Sequence, residues 1–545
     1  MSTAPADLEA TGPPNSWKGP QAKSDCATDF LNFRREMGTI SRQSAVYFGG
    51  TMFTMGVGYL FKIYIARKLG PASLGVYALG MTVVSLLGLV AAMGLPNTAA
   101  RFVAAYSGTG QLARLRGFLG RSMLFLIGMG VLLGSSALLA SHWIADRFYH
   151  TPALKTYMPM FALLVFTSVL CAFCGQALAG FRDLTRRTVI TNFIGTPLMM
   201  VLAVGLITMG AGLRGYIAAQ VISSFITLFL LLWAVWKLTP PGARRFTESL
   251  PRIEREAVHF SAAVFGIAVL EFLLGQSDNI LLGFFLDARR VGIYAMATAL
   301  VAFVAIFLST VNQIFSPIIS QLHARHEIAL LGRLFQTLTK WILAFTIPLA
   351  AVLIVFAPSV MRVFGGDFEV GWPILVIGTL GQLVNCAVGS VGFLLMMSGN
   401  QRRLIKVQAA MAVATVLLNL ALIPALGFIG AALVGGIVNI ITNLWCLAEV
   451  RHALGISPYN RGYLALIMPS LAVASLLAAF RYTGHQDLNA FWIVAAVALS
   501  YLVFAGGMLL FGLDSNDRIV LGAVYSRVSG IFSRSPEVQH DGILA

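Results

Sequence analysis

Apolar and polar positions along this chain come in blocks. Runs of about 20 mostly apolar residues, the length a helix needs to cross the hydrocarbon core of a bilayer, are separated by short polar segments rich in arginine. These runs fall at 44–66, 75–105, 118–140, 157–179, 187–209 and 214–236. After a polar, proline-containing segment they resume at 258–285, 290–318, 336–357, 372–397, 404–425 and 428–449, and two more follow at 461–481 and 489–512. The pattern predicts an all-α polytopic membrane protein of about 14 transmembrane helices. Gly94-Leu95-Pro96-Asn97 interrupts the second run, and a break there needs backbone partners from neighbouring helices or water.

One stretch occurs twice. Leu69-Gly70-Pro71-Ala72-Ser73-Leu74-Gly75-Val76-Tyr77-Ala78 returns as Leu286-Asp287-Ala288-Arg289-Arg290-Val291-Gly292-Ile293-Tyr294-Ala295, with Leu, Gly, Tyr and Ala in register. Each copy lies between two apolar runs and is read as a short turn between hydrophobic helices. A weaker echo, Gly212-Leu213-Arg214-Gly215 with Gly427-Phe428-Ile429-Gly430, falls at the sixth run of each half. Six runs separate the copies, an even number, so the halves share one orientation and form parallel repeats about an axis along the membrane normal. The expected organisation is a disordered tail at 1–43, an N-lobe at 44–236, a linker at 237–257, a C-lobe at 258–450, a helix pair at 451–513 and a second tail at 514–545. Within that last tail, 516–533 places Ile519, Val520, Val524, Val528 and Ile531 near one face, a pattern that fits an interfacial amphipathic helix or a frayed polar tail.

Composition agrees with the block pattern: 58% of residues are hydrophobic and 11% charged, against roughly a quarter charged in soluble domains. The formal net charge of +16 does not point to nucleic acid, because the basic residues sit in short loops between apolar runs, where they set topology. With the N-terminus cytoplasmic, most of them fall on the inner side, among them Arg114, Arg116, Arg121, Arg182, Arg186, Arg187, Arg402 and Arg403. Both termini are therefore expected in the cytoplasm and the protein in the plasma (inner) membrane. No apolar run precedes residue 44, so no cleaved signal peptide is expected.

Enzyme chemistry leaves no mark. There is no G-x-x-x-x-G-K-[ST], no H-E-x-x-H and no nucleophile elbow, and neither a cofactor nor a metal is expected. Cys171 and Cys174 form a C-x-x-C, but inside an apolar run, where small buried hydrophobes are the better reading. His142, Asp146 and His150 have a spacing that suits a metal or simply a solvated loop. Charges inside apolar runs are the more informative signal, since lipid makes them costly. Lys62 lies near the outer end of the first helix, where it either serves a ligand or snorkels to the interface. Arg101 follows the Pro96 break, either as a site residue or as an inner-loop topology charge. Glu271 and Asp278 lie seven residues apart in the seventh run, on one helical face. The shift that carries Leu69 onto Leu286 carries Lys62 onto Asn279, which sets Asp278 close to the matched position of Lys62 in the other half.

At these residues the chain resembles a known family. The run from Ala66-Arg67-Lys68-Leu69-Gly70-Pro71 through Gly75-Val76-Tyr77, with Gly94-Leu95 and Arg101-Phe102-Val103-Ala104, is similar to helices 1 and 2 of the polysaccharide-transport flippases. Ser277-Asp278 to Leu282-Gly283, then Gly292-Ile293-Tyr294, is similar to their helices 7 and 8. These flippases belong to the multidrug/oligosaccharidyl-lipid/polysaccharide exporter superfamily. The resemblance implies a two-lobed bundle that exposes a central cavity alternately to each side. Its implied cargo is a polyprenyl-diphosphate-linked oligosaccharide, with membrane lipid as surroundings and a polysaccharide polymerase as the partner class. An anionic diphosphate needs cations inside lipid, and Lys62 and Arg101 are the candidates. Asp278 and Glu271 are the ion-coupling candidates, and Arg182, Arg186, Arg187, Arg402 and Arg403 would form a cytoplasmic entrance. A cation-coupled multidrug exporter of the same fold is the second reading.

Overall fold

The computed structural model describes residues 21–244, 251, 253–482 and 488–510, with the side chains of 21–48, 51, 52 and 461 excepted. Among these residues every regular element is a helix. The first half consists of α1 (Gln21–Ala92), α2 (Leu95–Gly108), α3 (Leu112–Leu139), α4 (Ala153–Gly180), α5 (Leu184–Thr188), α6 (Thr196–Thr208) and α7 (Gly212–Leu238). The second consists of α8 (Arg255–Phe285), α9 (Ala288–Val304), α10 (Ile306–Ala324), α11 (Ile328–Val355), α12 (Ala357–Arg362), α13 (Trp372–Val388), α14 (Val391–Met397), α15 (Gln401–Leu426) and α16 (Phe428–Leu454). A pair, α17 (Ile467–Tyr482) and α18 (Ala490–Leu510), closes the described chain and packs on α11.

Twelve helices are long and apolar enough to cross a membrane, and α9 with α10, bent by 49°, make a thirteenth span. The segment Phe53–Ala92 counts once in that tally although its 40 residues would run about 60 Å, twice the hydrocarbon thickness. Gly70 breaks it, with φ 74° and ψ 171° inside an otherwise continuous helix. Two spans therefore meet at Gly70, and the number of crossings agrees with the block pattern.

Three details differ from the sequence expectation. Helix α1 begins at Gln21, well before the first apolar run, so residues 21–43 are helical rather than a disordered tail. No proline interrupts 21–70, and Ala, Leu, Arg, Glu and Met are good helix formers. The run at 187–209 contains a π-helical stretch, Val189–Gly195, between α5 and α6. The run at 372–397 is broken at Gly389, where φ is 77°. Residues 1–20 and the amphipathic stretch 516–533 lie outside the described residues.

The two copies of the repeated stretch explain themselves in three dimensions. The turn is shorter than expected, confined to Gly70 in one copy and to Leu286-Asp287 in the other, and the rest of each copy forms the first turns of the next helix. The Asp287 carboxylate caps α9 by accepting from the Arg290 amide at 3.2 Å. Those first turns cross each other where α1 meets α9, the most extensive helix contact in the molecule. A Cβ on Gly75 would stand 1.6 Å from the Ala288 carbonyl oxygen, and a Cβ on Gly292 would stand 2.0 Å from the Pro71 carbonyl oxygen. Pro71 and Ala288 are matched positions of the repeat, as are Gly75 and Gly292. The contact is thus reciprocal, as at a twofold axis, and only glycine permits so close an approach of the two backbones.

Candidate functional site

The lobes meet most tightly at the end opposite the arginine-rich loops. Besides the glycine crossing, Tyr59 Oη donates to the Ala299 carbonyl at 2.6 Å, and its ring packs edge-on against Phe303. Arg67 Nε donates to the Val363 carbonyl at 2.7 Å. Lys62 lies one turn from Tyr59, half-buried, with its ammonium 4.9 Å from the Tyr59 ring centroid. No carboxylate pairs with it among the described residues. An ammonium held over an aromatic face keeps its N–H donors available to an anion.

Arg101 lies at the other end. From Lys62 the helix runs eight residues to Gly70 before the chain reverses and continues through the Gly94 break to Arg101, so helical rise alone puts the two cations about 30 Å apart along the bundle. A single diphosphate cannot touch both at once, in keeping with the outer and inner positions expected of Lys62 and Arg101. The Arg101 guanidinium sits 4.5 Å from the Phe260 ring and pairs with Glu256 at 3.3 Å, reaching from α2 to the first turn of α8. Beside it Tyr106 Oη donates to Glu254 Oε2 at 2.8 Å, and Arg114 Nε pairs with Glu254 Oε1 at 2.9 Å. Ser261 Oγ donates to the Met93 carbonyl at 2.7 Å, and a Cβ on Gly94, whose φ is 77°, would stand 2.3 Å from the Ser261 carbonyl. The Gly94 break therefore finds its backbone partner on α8.

Helix α8 is shared between the lobes. Its first turns lie against α2, whereas its later turns pack along α15. Asp278 is on that later part and faces the interior of the C-lobe. Tyr294 Oη donates to Asp278 Oδ2 at 2.7 Å, and Asn419 Nδ2 donates to Asp278 Oδ1 at 2.6 Å. Tyr294 and Asn419 are themselves buried, and Asn419 Oδ1 has no hydrogen-bond partner. Sequence placed Asp278 beside the matched position of Lys62; in the structure it is turned into its own lobe and makes no ion pair with Lys62. Glu271, on the same helical face, is exposed.

The matched tyrosines show what is special about Asp278. In the N-lobe Tyr77 Oη donates to Gln220 Oε1 on α7 at 2.6 Å. The echo that carries Gly212 onto Gly427 carries Gln220 onto Gly435, where a Cβ would lie 3.6 Å from Asp278 Oδ2. One lobe satisfies its tyrosine with a neutral amide; the other clears that position and brings in a carboxylate from α8. Asn419 and Tyr294 were not singled out from sequence, although a lone asparagine in the apolar run at 404–425 was a signal of the right kind.

The arginines expected at the entrance share the basic end but differ in their partners. Arg187 donates to Gln176 Oε1 at 3.3 Å, and Gln176 donates to Asn97 Oδ1 at 3.1 Å, linking α5, α4 and the start of α2. Arg186 pairs with Asp183 at 3.0 Å and Arg403 with Glu449 at 2.6 Å. Arg182, exposed, adopts a left-handed backbone with φ 61°, and Arg402 is exposed. His142 pairs with Asp146, and no group of three metal-ligating side chains occurs among the described residues. Cys171 and Cys174 are free thiols, Cys174 buried in the core.

Two lobes of membrane helices in parallel repeat, locked at one end and carrying cations and a half-buried carboxylate, define a transporter-type architecture. A family model described as polysaccharide biosynthesis protein matches residues 64–368, more than half of the chain, and the chain belongs to that family. No curated protein matches the sequence. Among solved structures, the fold is similar to the lipid II flippase MurJ in an inward closed conformation, with 17% identity, a TM-score of 0.66 and coverage of 86% of this chain and 98% of that one. It is also similar to an inward-facing multidrug resistance MATE family transporter of the MOP superfamily, with 16% identity, a TM-score of 0.54 and coverage of 74% and 94%. A mutant of the Vibrio cholerae MATE transporter VcmN gives 16% identity, a TM-score of 0.51 and coverage of 76% and 98%. At these identities the likeness is one of fold.

Proposed function

We propose that the chain is a flippase that carries a polyprenyl-diphosphate-linked oligosaccharide from the cytoplasmic to the outer leaflet of the plasma (inner) membrane, by alternating access, for cell-surface polysaccharide assembly. Membership of the polysaccharide biosynthesis family is the observation that carries this reading. The arginine-rich end is cytoplasmic, as are both termini, by the excess of Lys and Arg in those loops. Arg101 then belongs to the inner end of the path, with Arg182, Arg186, Arg187, Arg402 and Arg403 drawing the anionic head group towards it. Lys62 belongs to the outer end, where it receives the diphosphate before release to a polysaccharide polymerase. Flipping a large polar head group against its gradient needs a driving force, and binding of a proton or cation at Asp278 supplies it. The half-buried carboxylate and the unpartnered oxygen of Asn419 support such a site, and exposed Glu271 provides its approach.

A half-buried carboxylate within one lobe also suits a cation-coupled multidrug exporter, the second reading. Reconstitution separates the two. Purified protein in proteoliposomes containing a fluorescent polyprenyl-diphosphate oligosaccharide should make the glycan accessible to a membrane-impermeant lectin on the opposite face. Transport of cationic drugs without glycan flipping would replace the first reading with the second.

A further inference from the structure

Glu254 and Glu256 occupy the basic groups that an arriving anion would need. Both lie where the linker between the lobes enters α8, and together they engage Arg114, Tyr106 and Arg101 of the N-lobe. The pairs are accessible rather than sealed: the side chains of Arg101 and Glu256 are 55% and 69% exposed, and those of Arg114 and Glu254 56% and 34%. Exposed ion pairs are individually weak and exchange readily with a competing anion. The two carboxylates together carry the charge of a diphosphate that joins a lipid to a sugar, which keeps one ionised oxygen on each phosphorus. Arginine favours phosphate because its planar fork donates two parallel hydrogen bonds, and Tyr106 Oη adds a third donor beside it.

From this we propose that Arg101, Arg114 and Tyr106 form a diphosphate-binding site at the cytoplasmic mouth, held in the empty state by Glu254 and Glu256 as internal stand-ins. The inference rests on the flippase reading and adds to it a coupling step. A diphosphate that takes the arginines expels the two glutamates, and the first turns of α8 lose their charged tether to α2 and α3. What remains there includes the contact of Gly94 and Met93 with Ser261, that of Gly117 with the Pro251 carbonyl, and the packing of Ala257 and Phe260 against Phe102 and its neighbours. Occupation of the mouth thus loosens a helix that touches both lobes. The tether is displaced when the anion competes for the arginines, so opening is favoured in the loaded protein.

The test uses the full chain in lipid nanodiscs, with polyprenyl diphosphate in the bilayer in one arm and soluble inorganic pyrophosphate in the other. Glu254→Gln with Glu256→Gln keeps size and removes the competing charge. This double variant should bind polyprenyl diphosphate about tenfold more tightly than the parent chain. Arg114→Gln should bind it about tenfold more weakly. Pyrophosphate competing in the same assay would show that the head group suffices; polyprenyl diphosphate binding that pyrophosphate cannot displace would place recognition on the lipid and overturn the site. As a measurement independent of affinity, spin labels at Thr109 and His259, both exposed, should separate when polyprenyl diphosphate is added to the parent chain and should already be apart in the double variant. Unchanged affinity and unchanged distance in a folded double variant would make the glutamates a static tether. If that variant still flips lipid-linked glycan normally, the flippase reading stands while the proposed site falls; a chain that neither binds nor flips the lipid loses both.

Discussion

Adding a single methyl group at the glycine crossing should open the protein at the end where it is now closed. In Gly75→Ala the new Cβ begins 1.6 Å from the Ala288 oxygen, whereas a tolerable carbon–oxygen contact is about 3.3 Å. The obstructing atom belongs to backbone, so no rotamer change relieves it, and α1 and α9 must part by roughly the missing distance. Overpacking of this kind costs about 1–3 kcal/mol. A conformation in which the lobes have separated at that end escapes the penalty, so the full amount biases the equilibrium between states, by about 5- to 150-fold. Spin labels at Lys68 and Val370, exposed residues on opposite lobes near this end, would report the change as a longer distance in the resting protein. Gly292→Ala should do the same, because its Cβ would meet the Pro71 oxygen at 2.0 Å. Since either methyl parts the same crossing, the double variant should fall short of the sum of the two shifts. Gly266→Ala is the control: it sits in a helix that touches both lobes, yet its Cβ would meet nothing within 4 Å. Unchanged distances in folded Gly75→Ala, or an equal effect from Gly266→Ala, would refute the reasoning.

Other perturbations address the remaining parts. Asp278→Asn keeps the shape of the side chain but removes its charge and turns an amide towards Asn419 or Tyr294; the folded variant should flip glycan without responding to a collapsed proton or sodium gradient, and a retained response in proteoliposomes would contradict the coupling role. Arg101→Ala should weaken capture of lipid-linked glycan and Lys62→Ala should slow its delivery to the outer end, each by about ten- to a hundredfold for the loss of one or two charge-assisted hydrogen bonds of about 1.5–3 kcal/mol; normal export by both variants would return them to topology and snorkelling. Single cysteines at Ser141 and Thr109 should react with an impermeant maleimide from outside and inside, respectively, in cells, and the reverse pattern would overturn the assignment of the basic end.

The bundle was readable in the sequence because lipid permits so few solutions. A run such as 214–236 appears as α7, Gly212–Leu238, and 428–449 as α16, Phe428–Leu454, since each must satisfy its backbone internally across the bilayer. The break at Gly94 and the repeated glycine stretch were also legible, as glycine and proline leave marks no apolar residue can leave. The 49° bend at Ala305 was not, because neither glycine nor proline stands there and the bend comes from packing. Asp278 and Glu271 were correctly put on one face of α8, but helix periodicity does not say what lies opposite each turn. Only tertiary contact shows that one turn meets Tyr294 and Asn419 and the other meets neither. The separation of Lys62 from Arg101 was legible, because the block pattern sets one at the outer end of the first run and the other beyond the break in the second. Glu254 and Glu256 carry no sequence signal of their own; their partners on α2 and α3 are set by tertiary contact.

The reciprocal crossing also bears on the ancestry of the chain. In a duplicated gene each copy is free to drift, except where a residue touches its own counterpart. Gly75 lies on the carbonyl of position 288 and Gly292 on that of position 71, so a side chain acquired by either half meets the backbone of the other. Drift at this spot is checked twice over, once for each copy. Away from the axis, Gln220 and Gly435 do not face one another, and they have been able to diverge into an amide and a vacancy that admits a carboxylate. The echo that survives at 69–78 and 286–295 therefore marks where each half is held by the other.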